Sequence, residues 1–205
     1  MTGEWSLLVS PEDFPEPEID LSTISTVEKM AILAGGCFWC TEAVFKELDG
    51  IISVRSGYTG GSADTANYEM VCSGKTNHAE AIKIIYNQNK ITYGKILKIF
   101  FSIAHDPTQL DRQGNDVGKQ YRSAIFFVDQ EQRQVARSYI DQLNRASVFS
   151  AQIQTALESH SIFYEAEDYH QDFAAKNPSK PYVFHATKPK LDSLRRSFGQ
   201  YLTRL

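Results

Sequence analysis

No apolar run in this 205-residue sequence approaches the length that crosses a membrane, and basic residues are not in excess. The 21 Lys and Arg residues are outnumbered by 25 Asp and Glu residues, so the formal net charge is −4. This balance argues against nucleic acid or an anionic membrane as a partner. The N-terminus lacks the basic and apolar regions of a secretory signal, so we expect a cytoplasmic protein.

Cysteine is scarce, with only Cys37, Cys40 and Cys72 in the chain. An odd, small number of cysteines without a secretion signal argues against a disulfide framework and indicates functional thiols in a reducing compartment. The length fits one domain with a sizeable core. We expect an acidic, proline-containing extended arm over residues 1–26 and a single catalytic domain over residues 27–205, acting as a monomer.

Apolar runs and apolar residues at helical spacing alternate along the domain, which predicts an α/β fold. Strands are predicted within residues 29–34, 51–58, 79–86, 123–128 and 151–156, and helices within residues 41–48, 92–105, 130–145 and 189–205. Irregular loops separate several of these strands. We therefore expect a two-layer α/β (α+β) sandwich with a mixed sheet and a C-terminal helix.

The most informative stretch is GGCFWC at residues 35–40, between a predicted strand and a predicted helix. The two glycines allow the sharp turn that this position needs. Cys37 then lies at the helix N-terminus, where free N–H groups and the macrodipole favour a thiolate and lower the thiol pKa. The competing interpretation is that Cys37 is a small buried apolar residue and that Phe38 and Trp39 belong to the core.

The alternation of residues 79–86 places Glu80 on the same strand face as Ile82, Ile84 and Tyr86. Burial among apolar side chains raises the pKa of a carboxyl group unless a cation is close. Glu80 is therefore predicted to be neutral and able to donate a proton near neutral pH. The alternative is a glutamate at a strand end that reaches solvent.

Several motifs in this order resemble the peptide methionine sulfoxide reductase A family. They are GCFW at residues 36–39, GYTGG at 57–61, VCSGKTNHAE at 71–80, HDP at 105–107, QGND at 113–116, QYRS at 120–123 and EDYHQ at 167–171. The resemblance implies a ferredoxin-like core in the sandwich. It also implies repair of oxidised proteins, by reduction of the S-epimer of methionine sulfoxide, free or in proteins.

The resemblance also implies roles for individual residues. Cys37 would be the nucleophile, with Phe38 and Trp39 forming an apolar wall for the S-methyl group. Tyr68, Glu80 and Tyr121 match the groups that hold the sulfoxide oxygen, and Asp116 matches an acidic residue of the same site. A low-pKa thiolate and a proton donor are what reduction of a sulfoxide requires, and the thiolate becomes a sulfenic acid.

The sequence departs from the family where the sulfenic acid must be resolved. Many members have glycine at the position of Cys40 and a cysteine in a glycine-rich C-terminal tail, which is absent here. Cys40 is the favoured resolving thiol, because residues i and i+3 share a helix face. One alternative is that Cys72 is the resolving thiol, although it can also be interpreted as a buried thiol at a strand end. The other alternative is that no internal thiol resolves the sulfenic acid. No bound cofactor is expected, and an external reductant of the thioredoxin type would complete the cycle.

Two other functions compete with this one. Cys37 and Cys40 fit a general dithiol–disulfide oxidoreductase, although such a protein needs neither Glu80 nor the tyrosines. Cys37, Cys40, Cys72 and His78 could instead hold structural zinc, although the spacing of the second pair is irregular. Asp168 and His170 are candidates for supporting the site without touching substrate.

Overall fold

The computed structural model describes residues 9–22, 27–160 and 162–203. The strands are β1 (Glu28–Gly35), β2 (Ile51–Thr59), β3 (Ala79–Asn87), β4 (Arg112–Gln113), β5 (Asp116–Val117), β6 (Ser123–Phe127), β7 (Ala156–Ser159) and β8 (Phe163–Glu165). The α-helices are α1 (Phe38–Lys46), α2 (Tyr68–Cys72), α3 (Tyr93–Ile99), α4 (Gln130–Arg145), α5 (Phe173–Lys176) and α6 (Lys188–Ser197). Within the described ranges, no helix is long and apolar enough to cross a membrane.

Six strands form one mixed sheet in the order β7, β6, β1, β3, β2, β8. Only the β6–β7 pair is parallel, and β1 lies near the centre, where Leu33 is opposite both Ile82 of β3 and Ile125 of β6. The β4 and β5 strands form a separate small hairpin. The predicted α/β class with a mixed sheet is confirmed.

One face of the sheet is covered by helices and carries the main core. Ile82, Ile84 and Tyr86 of β3 are buried there, as the predicted alternation requires. Ala79 and Ala81 point to the other face, into a smaller cluster with Phe126. Because the register of β3 is fixed by this burial, Glu80 is held on the helix-covered face.

Two predicted elements differ from the structure. The strand expected within residues 151–156 is wrong, because the backbone N–H groups of Ile153 and Gln154 donate to Asn144 Oδ1 and to the Pro107 carbonyl rather than to a ladder. The parallel strand β7 begins only at Ala156. The C-terminal helix begins one residue early and ends at Ser197, because the chain beyond it turns back to bridge Leu202 with Leu48.

Residues 9–22 run over the body of the protein without regular strands. Phe14 is buried, with its ring edge-on to Phe149 at a centroid distance of 5.6 Å. The Tyr139 hydroxyl donates to the Pro15 carbonyl, and the Glu16 carboxylate accepts from Lys95 and Lys98. Trp5 and Leu7, two further apolar residues of the predicted arm, lie outside the described residues.

Candidate active site

Cys37 is the N-cap of α1, directly after the turn that ends β1. Gly36 has φ +83°, a conformation that side chains with a Cβ rarely adopt, and an added Cβ would lie 2.6 Å from the Gln113 side chain. Glycine is therefore required here both for the turn and for the close approach of Gln113. The predicted strand, glycine turn and helix start are all present.

A cavity of about 160 Å³ opens at this helix start. Its walls are formed by Cys37, Phe38, Trp39, Tyr68, Glu80, Asp116, Tyr121 and Tyr182. Seven of these eight residues are candidates from the sequence, brought together from five separate segments. Cys40 is buried beside Cys37 but does not line the cavity. A volume of this size suits a small group such as the end of a methionine side chain.

Glu80 is the buried carboxyl group of the cavity, with only 2% of its surface exposed. Burial raises its pKa to about 8, and the negative charge of Asp116 adds to the rise. The Phe38 N–H group donates to Glu80 Oε2 at 3.1 Å, which opposes the rise without cancelling it. The expected neutral, proton-donating form is therefore the prevailing form at pH 7.

The two thiols of α1 behave as a coupled pair. Burial raises the pKa of Cys37, and the neighbouring Cys40 and the Glu80 charge raise it further. The interaction with Cys37 lowers the pKa of Cys40 to about 6, assisted by Lys190, Thr187 and Tyr182. The predicted low pKa of Cys37 is thus wrong for the resting pair, because burial outweighs the helix N-terminus. The pair still carries one negative charge near neutral pH. Transfer of the Cys37 proton to Cys40 would place this charge on the Cys37 sulfur.

Tyr68 and Tyr121 present phenol groups to the cavity, and burial raises the pKa of both well above the ordinary value. Both therefore remain protonated hydrogen-bond donors. The Cys72 thiol interacts with these two phenols, and burial also raises its pKa. Cys72 ends helix α2 and is half-buried, so its interpretation as a buried thiol at a strand end is wrong.

Trp39 is held in place on three sides. Its indole N–H donates to His170 Nδ1 at 3.1 Å, and its ring stacks on Phe173 at a centroid distance of 3.7 Å. The Tyr182 ring meets it edge-on at 5.7 Å. His170 thus orients a wall of the cavity without lining it, whereas no described contact brings Asp168 to the site.

Tyr182 is the cavity residue that sequence reasoning missed. Its hydroxyl donates to Asp116 Oδ2 at 2.6 Å and lies 3.9 Å from the Cys40 sulfur. It belongs to a segment that follows Pro181 and has no recognisable motif, so nothing local indicated its position. Only the folding of the C-terminal segment over α1 brings it to the cavity.

A metal site is not formed by the zinc candidates. Across the described ranges, no group of three or more His, Cys, Asp or Glu side chains is arranged to hold a metal ion. The His78 Nε2 atom lies 3.0 Å from the Ser62 carbonyl oxygen instead. The site's chemistry is therefore that of thiols, a neutral carboxyl group and phenols.

Comparisons with known proteins agree with this chemistry. A family model described as peptide methionine sulfoxide reductase matches residues 29–202. The peptide methionine sulfoxide reductase MsrA 2 of Synechocystis is 48% identical over 202 residues, covering 96% of this chain and 94% of the relative. The MsrA of Deinococcus radiodurans is 49% identical over 175 residues, covering 85% and 84%.

Solved structures give the same result. Reduced Mxr1 from Saccharomyces cerevisiae superposes with a TM-score of 0.68 at 33% identity, covering 82% of this chain and 94% of that one. The methionine sulfoxide reductase A of Corynebacterium diphtheriae superposes with a TM-score of 0.64 at 30% identity, covering 88% and 89%.

Proposed function

Because the chain belongs to the peptide methionine sulfoxide reductase family, we propose that its cavity reduces the S-epimer of methionine sulfoxide with Cys37 as the nucleophile. The protein is a peptide-methionine sulfoxide reductase, and the comparisons do not favour a general dithiol–disulfide oxidoreductase.

The observation that carries the proposal is the pairing of Cys37 with a neutral Glu80 in one small cavity. The Cys37 thiolate attacks the sulfoxide sulfur while Glu80 donates a proton to the sulfoxide oxygen. The thiolate, the sulfoxide and that proton become methionine and a sulfenic acid on Cys37. The substrate sulfur is reduced by two electrons and the Cys37 sulfur is oxidised by two.

The other cavity residues position the substrate. The hydroxyls of Tyr68 and Tyr121 hold the sulfoxide oxygen as hydrogen-bond donors, since both phenols stay protonated. Asp116, which accepts a hydrogen bond from Tyr182, also lines the cavity. Phe38 and the rigidly held Trp39 form the apolar wall for the S-methyl group.

Recycling requires a second thiol, and Cys40 fits best. It follows Cys37 by one helical turn, interacts with it directly, and has a lowered pKa of about 6. The resulting disulfide would be reduced by an external dithiol of the thioredoxin type, with no bound cofactor. We further propose that the enzyme acts as a cytoplasmic monomer on free and protein-bound methionine sulfoxide.

The test is a comparison of separated substrate epimers. Purified enzyme with a thioredoxin reducing system is given a peptide carrying either the S- or the R-sulfoxide, and methionine formation is followed by chromatography. The proposal expects reduction of the S-epimer alone. Equal rates on both epimers, or reduction of a protein disulfide without reduction of either epimer, would contradict it.

A further inference from the structure

The C-terminal segment that replaces a cysteine-bearing tail covers the sulfur of Cys40. Cys40 is 2% exposed, and its sulfur lies 3.2 Å from the hydroxyl oxygen of Thr187. Thr187 is itself fully buried, at the end of a π-helical turn spanning Val183–Thr187. One turn of helix later, the Lys190 side chain donates to the Ala104 carbonyl at 2.7 Å, and its positive charge lowers the pKa of Cys40.

Among the described residues, four charged or titratable groups interact with Cys40. They are Cys37 on α1, Glu80 on β3, and Tyr182 and Lys190 from the C-terminal segment. Cys37 lowers the pKa of Cys40 most, followed among the favourable contributions by the Lys190 charge and the hydrogen bond of Thr187. Glu80 is neutral at pH 7 because its own pKa is about 8. The C-terminal segment therefore supplies the positive charge of Lys190 and the hydroxyl of Thr187, whereas the Tyr182 hydroxyl donates its proton to Asp116.

We propose that Thr187 and Lys190 position and stabilise the Cys40 thiolate for its attack on the Cys37 sulfenic acid. The inference rests on the proposed function, in which Cys40 is the resolving thiol. The cysteine-free C-terminal segment then serves recycling by activating a thiol elsewhere, rather than by carrying one. Thr187 and Lys190 are positioning residues, since neither lines the substrate cavity.

The stabilisation matters most after the first half of the reaction. Once Cys37 has become a sulfenic acid, the thiol that lowered the pKa of Cys40 is gone, whereas Thr187 and Lys190 are unchanged. The Cys40 thiolate attacks the Cys37 sulfur, the S–S bond forms and the S–O bond breaks. Glu80 takes up a proton from solvent after the first half-reaction, because its pKa is about 8. It gives this proton to the departing hydroxide, which leaves as water, and solvent then reprotonates Glu80 for the next cycle.

The test measures the two half-reactions separately as a function of pH. Methionine released in a single turnover reports the first, and trapping of the remaining free thiols followed by mass analysis reports disulfide formation. In Thr187→Val, the pH at which disulfide formation reaches half its maximal rate should rise by about one unit. Below that pH, the disulfide should form up to about tenfold more slowly than in the wild type. At alkaline pH the rate should match or slightly exceed wild type, because a thiolate of higher pKa is more nucleophilic.

Three further variants make the result specific. Thr187→Ser keeps the hydroxyl and should restore the wild-type profile, and Lys190→Gln should shift it in the same direction as Thr187→Val. Thr41→Val removes a neighbouring buried hydroxyl that bonds only the Phe38 carbonyl in the described contacts, and should leave the profile unchanged. In a Cys37→Ser background, thiolate absorbance should show directly that Thr187→Val raises the pKa of Cys40.

The outcomes separate this inference from the function on which it rests. If Cys40→Ser blocks disulfide formation while Thr187→Val and Lys190→Gln keep the wild-type pH profile, the inference is overturned and Cys40 remains the resolving thiol. The inference is also overturned if Thr187→Val slows disulfide formation equally at every pH and Thr187→Ser does not restore the rate. That result would indicate a packing defect. If Cys40→Ser forms its disulfide normally, the proposed role of Cys40 itself fails.

Discussion

Glu80→Gln should separate the catalytic role of this carboxyl group from its effect on stability. The amide keeps the size of the side chain and can still accept from the Phe38 N–H group, but it cannot donate the acid proton. General acid catalysis contributes roughly 10²- to 10⁴-fold, so methionine formation in the first turnover should slow by that order. Single-turnover quench experiments on the S-sulfoxide measure this step without recycling.

The same change should stabilise the fold near neutral pH. Burial raises the pKa of Glu80 from 4.5 to about 8, so between these pH values the folded protein keeps a proton that the unfolded chain has lost. The contribution of Glu80 to the free energy of unfolding therefore falls as pH rises through this window. The full shift corresponds to about 5 kcal/mol as an upper figure. Denaturant unfolding at pH 5 and pH 8 should show that the stability of Glu80→Gln depends less on pH than that of the wild type.

The pH profile of the first step gives a third readout. Wild-type enzyme should gain activity as the thiol pair loses its proton near pH 6 and lose it as Glu80 ionises above about pH 8. Glu80→Gln should lack the alkaline decline. Glu42→Gln, which alters another buried glutamate outside the cavity, is the control and should keep the wild-type rate of reduction. A Glu80→Gln enzyme with a near-normal single-turnover rate would refute the acid role.

The remaining predictions concern the other parts of the site. Cys37→Ser should release no methionine in single-turnover assays, and substantial release would refute the nucleophile assignment. Cys40→Ser should still release one methionine per enzyme, yet steady-state turnover with thioredoxin should slow sharply; normal recycling would point to Cys72 or to no internal thiol. Trp39→Ala should lower kcat/KM for the S-sulfoxide and cost about 2 kcal/mol in denaturant unfolding, since the indole stacks on Phe173. Lost stability with unchanged kcat/KM would make Trp39 a core residue only.

Local sequence patterns were sufficient to predict the centre of the site. The glycines at 35 and 36 and the apolar spacing after them define the turn and helix that present Cys37. The alternation of β3 places Glu80 on the buried face, 42 residues from the Phe38 N–H group that it accepts from. Both inferences depend on the short-range spacing of apolar residues. This spacing predicts the structure well because it determines which side chains are buried.

Features that depend on distant segments could not be predicted in this way. Tyr182 is 142 residues from Cys40, and only the path of the C-terminal segment brings the two together. The pKa of Cys37 is raised, although its place at a helix N-terminus predicted a lowered pKa. The helix N-terminus is a local feature of the sequence, whereas the burial of the thiol depends on the whole fold. The strand predicted at 151–156 is wrong for the same reason. The backbone N–H groups of this segment donate to Asn144 and Pro107, which the local sequence pattern could not indicate.

Mass mapping of the protein after one turnover with methionine S-sulfoxide and no external reductant tests the roles of Cys37 and Cys40 in a single measurement. We expect one methionine released per enzyme and a disulfide between Cys37 and Cys40, with Cys72 still reduced. A disulfide to Cys72, or a lone sulfenic acid on Cys37 that persists in the wild-type enzyme, would contradict the recycling step. Methionine release with Cys37 unmodified would show that Cys37 is not the nucleophile.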